Sequence, residues 1–211
     1  IYMLARGKGL WVSYNGAETW QRLIMNPITV FALSPKKRGV IYTAQKEKIL
    51  KNEDGGSKWV EIFSESSKNL ITALAVSPNN IIYAATKNGI IYESRDQGGS
   101  WTVLKKLKAR TLNGLFINPK NSEELYATTG LEGVFKSSDV GRNWWVLHGL
   151  KEFKGSEALL QFKMSFQNPL HLFVASALGF LVSKDGGGNW GLLPLLSGNS
   201  STKITAIGFN P

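Results

Sequence analysis

Five segments of this chain follow one pattern. Ser13–Trp20, Asn52–Trp59, Ser94–Trp101, Ser137–Trp144 and Ser183–Trp190 each carry an Asp or Asn at the third position and a Trp five residues after it. The Asx residues are Asn15, Asp54, Asp96, Asp139 and Asp185, so the spacings are 39, 42, 43 and 46. That period is the length of a four-stranded propeller blade rather than of a helical repeat.

A second repeat runs between the first. Apolar stretches stopping at Pro occur at Ile28–Pro35, Ile71–Pro78, Leu112–Pro119 and Leu159–Pro169, and the chain ends on Ile204–Pro211. The first four are each followed by a β-rich run with an aromatic second residue: Ile41-Tyr42, Ile82-Tyr83, Leu125-Tyr126 and Leu172-Phe173, with Ile1-Tyr2 in the same series. Each unit therefore reads as strand A up to the Pro, strand B at the aromatic run, strand C into the Asx motif and strand D after its Trp. No stretch keeps a helical period, and the predicted class is all-β, a single β-propeller domain. The blades span about 1–27 plus 203–211, 28–66, 67–108, 109–150 and 151–202. Blade one lacks a strand A and the C-terminal stretch is a strand A without a blade, so pairing the two is expected to close a five-bladed ring. A window cut from a larger propeller stays open as the alternative.

In the repeated motif, an Asp or Asn with Gly beside it favours a tight turn in which the side-chain oxygen accepts backbone N–H bonds and the Ser two positions earlier joins it. Trp20, Trp59, Trp101, Trp144 and Trp190 are then expected to fold back between sheets as core pins, each contributing on the order of 4–6 kcal/mol at full burial. The pattern S-x-D-x-G-x-x-W resembles the Asp-box, or BNR, repeat of sialidases, xyloglucan-cleaving glycosidases, sortilin-type receptors and photosystem II assembly factors. The resemblance covers essentially the whole chain. It implies a propeller with the boxes in the turns between strands C and D, and an extracytoplasmic location. Because the repeat occurs on enzymes, receptors and scaffolds alike, it says little about function. The first two boxes depart from the pattern at Asn15, Ala17, Asn52 and Lys58.

Composition narrows the chemistry. There is no Cys, hence no disulfide, thiolate metal site or cysteine nucleophile, and the two His, His148 and His171, lie in different repeats. No metal or other cofactor is expected. No apolar run approaches the roughly 18 residues of a membrane span. The four Asp, Asp54, Asp96, Asp139 and Asp185, all sit in boxes, so none is left for the carboxylate pair, about 5–10 Å apart, of a glycosidase. Of the Glu, the loops offer Glu47, Glu65, Glu132, Glu152 and Glu157, which read as solvated acids beside Lys. The sialidase resemblance would require three spaced Arg and an Arg-Ile-Pro motif, and the sequence contains no such motif. These readings lean away from catalysis, with an Asp-box glycoside hydrolase kept as an alternative.

The positive charge is unevenly distributed. The chain carries a net charge of +10, and topology sends the D–A and B–C connections to one end of each sheet. Those connections hold thirteen Lys and Arg against five Glu. The candidate contacts are Lys46, Lys48, Lys105, Lys106, Lys108, Arg110, Lys151 and Lys154, a field that attracts anions and that salt screens. The expected partner is a protein segment or an anionic polymer. Nucleic acid is disfavoured because no exposed aromatics interleave with the basic run 105–110. Peripheral association with a membrane complex, as an assembly factor, is a further alternative. Trp11 and Trp145, outside the box position, read as strand residues packed between blades, with the lining of a sugar or peptide subsite as the alternative.

Overall fold

The structure, a computed structural model, describes residues 1–5, 7–153, 156, 159–176 and 178–193. It is an all-β propeller fold of five antiparallel sheets, and the chain divides into two compact units, Ile1–Leu107 and Lys108–Pro211. The first unit holds β1 (Tyr2–Ala5), β2 (Gly9–Val12) and β3 (Gln21–Ile24); β4 (Val30–Leu33), β5 (Ile41–Gln45), β6 (Lys48–Asn52) and β7 (Trp59–Ser64); and β8 (Ile71–Val76), β9 (Ile82–Thr86), β10 (Ile90–Ser94) and β11 (Thr102–Lys106). The second holds β12 (Leu112–Asn118), β13 (Asn121–Thr129), β14 (Val134–Ser137) and β15 (Trp145–Val146), then β16 (Leu159–Met164), β17 (Leu172–Ser176), β18 (Phe180–Ser183) and β19 (Gly191–Leu193). Within each sheet the strands neighbour one another in sequence order. A 3₁₀ turn, His148–Glu152, is the one helical element among the described residues.

Strand character follows position in the sheet. The second strands β5 and β9 are buried on both faces, so their sequences, Ile-Tyr-Thr-Ala-Gln and Ile-Tyr-Ala-Ala-Thr, lack the apolar-polar alternation of a half-exposed strand. Tyr42, Tyr83 and Tyr126 are wholly buried. The fourth strands β7 and β11 are largely exposed. A register shift recurs between the last two strands of the first three sheets, at Leu10/Trp11, Ile49/Leu50 and Ile91/Tyr92. Such bulges increase the local twist of a sheet.

Apolar clusters hold successive sheets together within each unit. In the first, Leu10, Val12 and Leu23 pack with Ile41, and Tyr42, Ile49 and Ile71 pack with Ile82. In the second, Tyr126, Val134 and Leu147 meet Phe162, Val174 and Trp190. Among the described residues β1–β3 form a three-stranded sheet. The strand expected at 204–209 to complete it lies outside the described residues.

Candidate binding site

The five repeated turns join the last two strands of each sheet, and their bonding is uniform. Ser94 Oγ donates to Asp96 Oδ1 (2.9 Å), Gly98 N–H donates to Ser94 Oγ (2.8 Å), and Ser100 N–H donates to Asp96 Oδ1 (2.8 Å). Ser137–Asp139 and Ser183–Asp185 repeat this, with the Asn143 and Asn189 amides donating to the second carboxylate oxygen at 2.7 Å. The sequence departures keep the pattern. Asn52 replaces Ser with an amide that donates to Asp54 and accepts from Gly56 N–H. Asn15 accepts Thr19 N–H through Oδ1 and donates to Thr19 Oγ1 through Nδ2.

These bonds stabilise the charged carboxylates. The Ser100 hydroxyl, then its backbone N–H, hold Asp96 down to about 2, and the N–H of Asn143 and of Asn189 do the same for Asp139 and Asp185. Asp54 is also lowered, first by Lys58 N–H. All four Asp are therefore turn-forming groups, with both oxygens bonded in Asp96, Asp139 and Asp185 and Oδ1 bonded in Asp54. Both residues after each Asx take positive φ, including the non-glycines Ala17, Gln97 and Val140.

The Trp that closes each turn is less buried than full core packing requires. Only Trp190 is buried, at 9% exposure; Trp20, Trp59, Trp101 and Trp144 are half-buried. The indole lies at the end of the fourth strand, whose outer face meets solvent. Trp59 Nε1 donates to Leu23 O (3.3 Å) and Trp101 Nε1 to Ile62 O (3.0 Å), each in the preceding sheet. Trp144 and Trp190 donate to Gly141 O and Gly187 O of their own turns. Trp145 also differs from expectation: it is 44% exposed because it sits on the outer strand β15. Trp11 is half-buried, with the Arg22 guanidinium 5.3 Å from its ring centroid.

The opposite end of the sheets carries the cations. In the first unit a series of backbone bonds links adjacent connections: Ile71 N–H to Lys46 O (2.8 Å), Glu65 N–H to Glu47 O (2.9 Å), Lys87 N–H to Leu70 O (2.8 Å) and Leu107 N–H to Gly89 O (2.9 Å). The result is one ledge bearing Lys46, Lys68, Lys87 and Lys106, all exposed, with Lys105 half-buried beside them. None of the five has an ion-pair partner among the described residues, whereas Lys48 is paired with Glu61 at 2.7 Å. Lys46 and Lys68 hold φ of 54° and 59°. That left-handed region disfavours side-chain-bearing residues and marks positions where a side chain is kept against backbone preference. Lys68 and Lys87 are among the thirteen cations that strand order places at this end of the sheets, though not among the eight candidate contacts.

Glu65 corrects another expectation. It is 3% exposed rather than solvated, accepting Asn69 N–H (2.7 Å) and the Tyr92 hydroxyl (3.0 Å). Burial pushes its carboxyl up, but the Asn69 N–H and Tyr92 hydroxyl more than offset this and leave it below the ordinary range. Burial, then the bond to Glu65, raises Tyr92 to about 12. Glu65 thus fixes the connection that carries Lys68.

Lys108, Arg110 and Lys151 belong to the second unit and are exposed; Lys154 lies outside the described residues. There Arg110 N–H donates to Glu132 Oε1 (3.1 Å) and Gly130 N–H to Thr111 O (3.1 Å), joining the connection before β12 to the β13–β14 turn. His148 is exposed, and His171 Nε2 lies 3.2 Å from Asn168 Nδ2. No helix among the described residues is long and apolar enough to cross a membrane.

The sequence matches no protein-family model and no curated protein. Solved structures do match. A GH74 enzyme from Niastella koreensis superposes with TM-score 0.73 at 18% identity, covering 90% of this chain and 34% of that one. The GH74 xyloglucanase from Xanthomonas campestris gives 0.61 at 13%, covering 92% and 43%. YCF48 bound to D1 peptide gives 0.62 at 17%, covering 86% and 60%. The chain therefore spans about a third of the first of these structures, and identities this low speak for a β-propeller fold and nothing finer.

Proposed function

We propose that the chain is a noncatalytic binding propeller whose basic connections engage an acidic polypeptide segment. The observation that carries this reading is the ledge of the first unit, where Lys46, Lys68, Lys87 and Lys106 are exposed, have no ion pair among the described residues, and sit on connections tied by backbone bonds, one of which, Ile71 N–H to Lys46 O, joins two sheets. The backbone of these connections is already fixed, so only the lysine side chains are ordered on binding, and their field adds to association with anions. The engagement of every Asp in a turn supports binding over carboxylate catalysis. A polypeptide partner draws support from the fold likeness to YCF48 bound to D1 peptide.

Titrating the chain with fluorescent oligo-glutamate, oligo-lysine and an acidic polysaccharide tests the reading. Saturable binding of oligo-glutamate in preference to the other two is expected. Exclusive binding of the polysaccharide, or turnover of xyloglucan, would replace this reading with a carbohydrate function.

A further inference from the structure

The connections of the first unit carry exposed apolar residues among their lysines. Met25 is 66% exposed in the connection from β3 to β4, and Leu70 is 42% exposed in the connection from β7 to β8. They occupy equivalent places, between the last strand of one sheet and the first strand of the next. The two connections are bonded to each other: Thr29, at the end of the Met25 connection, donates through Oγ1 to the carbonyl oxygen of Ile71 (2.9 Å), the residue after Leu70.

Each of the two apolar residues is seated against a turn that carries a lysine. Leu70 O accepts Lys87 N–H (2.8 Å) and Ile71 N–H donates to Lys46 O (2.8 Å), so the peptide unit between Leu70 and Ile71 is held by lysine-bearing turns at both of its polar groups. Gly9, with φ of 86°, closes the β1–β2 turn, where Lys8 is exposed; a Cβ at Gly9 would lie 1.9 Å from Ile24 O and 3.3 Å from the Met25 carbonyl carbon. That approach needs glycine and sets the Met25 backbone against the Lys8 turn. Lys8, Lys46 and Lys87 have no ion pair among the described residues. A single exposed apolar side chain is ordinary on a protein surface. Two at equivalent places in bonded connections, each beside such a lysine, make a mixed surface that a purely acidic segment would leave half unused.

We propose that the segment bound at this ledge is amphipathic, its acids lying on Lys8, Lys46 and Lys87 and its aliphatic side chains on Met25 and Leu70. This rests on the reading of the ledge as a site for an acidic polypeptide and names the kind of sequence that the site selects. The lysines supply an attraction that salt screens, and the two apolar side chains supply a contact that salt does not screen. The unbranched Met25 side chain adapts to apolar partners of different shape.

Three fluorescent peptides test this on the full chain: oligo-glutamate, a Glu-Glu-Leu repeat matched to it in charge, and a Ser-Ser-Leu repeat as long as the second. The Glu-Glu-Leu peptide should bind about tenfold more tightly than oligo-glutamate, through burial of apolar surface at Met25 and Leu70. That advantage should persist as salt rises from about 50 to about 200 mM, while both affinities fall. It should disappear in a Met25→Ser, Leu70→Ser variant and remain in a Met25→Leu, Leu70→Met variant. Equal affinity of the native chain for the two acidic peptides, or an advantage kept by the serine variant, would overturn this inference and leave the acidic-segment reading standing. Binding of neither acidic peptide would overturn both. Ser-Ser-Leu binding as tightly as Glu-Glu-Leu would overturn the inference in favour of a purely apolar contact.

Discussion

Trp101 Nε1 donates to the carbonyl oxygen of Ile62 at 3.0 Å, fastening the turn of one sheet to the fourth strand of the sheet before it. The same approach is seen at Gly98, where an added Cβ would lie 2.6 Å from Ile62 Cδ1. Side-chain bond and glycine contact together set the spacing of the two sheets. Trp101→Ala should therefore lower stability by about 2–4 kcal/mol, less than a fully buried Trp, and Trp101→Phe by about 1 kcal/mol through the lost bond. Urea unfolding measures both, and a Phe variant as damaging as the Ala variant would contradict the assigned role of the indole N–H.

The repeated turns set an acid limit. Asp96, Asp139 and Asp185 are held at about 2 by their Ser100, Asn143 and Asn189 donors, below the roughly 3.9 of an unfolded Asp. On acidification the unfolded chain takes up protons first. Their stabilisation is complete above about pH 4 and is lost as pH falls through about 2. Asn15 forms the same turn without a charge, so the triple Asp→Asn variant should stay folded at neutral pH and show a flatter stability profile between those limits. Thermal melts across that window make the comparison.

Two kinds of left-handed residue should respond differently to glycine. Val140 holds φ of 63° inside a turn, and Lys46 and Lys68 hold 54° and 59° on the basic ledge. Replacing each by Gly relieves about 1 kcal/mol of backbone strain, so all three variants should melt higher. Val140→Gly should leave oligo-glutamate binding unchanged, whereas Lys46→Gly and Lys68→Gly should weaken it. Unchanged binding in the Lys variants would detach the strain from function.

What could be read from sequence divides by range. The turn bonds span two to four residues, so Ser137, Asp139 and Asn143 announce them in one short segment. The indole acceptors Leu23 O and Ile62 O lie 36 and 39 residues before their Trp, and a backbone carbonyl has no sequence signature. Full burial was therefore expected where half-burial and a hydrogen bond are found. Glu65 sits among Ser and Lys and reads as solvated, but its burial depends on Tyr92 of the next sheet. Placing cations at one end of the sheets needed only strand order. What strand order does not show is the one backbone bond between sheets, Ile71 N–H to Lys46 O, that brings the Lys46 turn to the connection before β8.

The most direct test of the binding account is the affinity for fluorescent oligo-glutamate, measured for the native chain and for a Lys46→Glu, Lys68→Glu, Lys87→Glu variant as salt rises from about 50 to about 200 mM. The account predicts tight, salt-sensitive binding by the native chain and loss of both the affinity and its salt dependence in the variant. Equal affinity of the two proteins at low salt would contradict it.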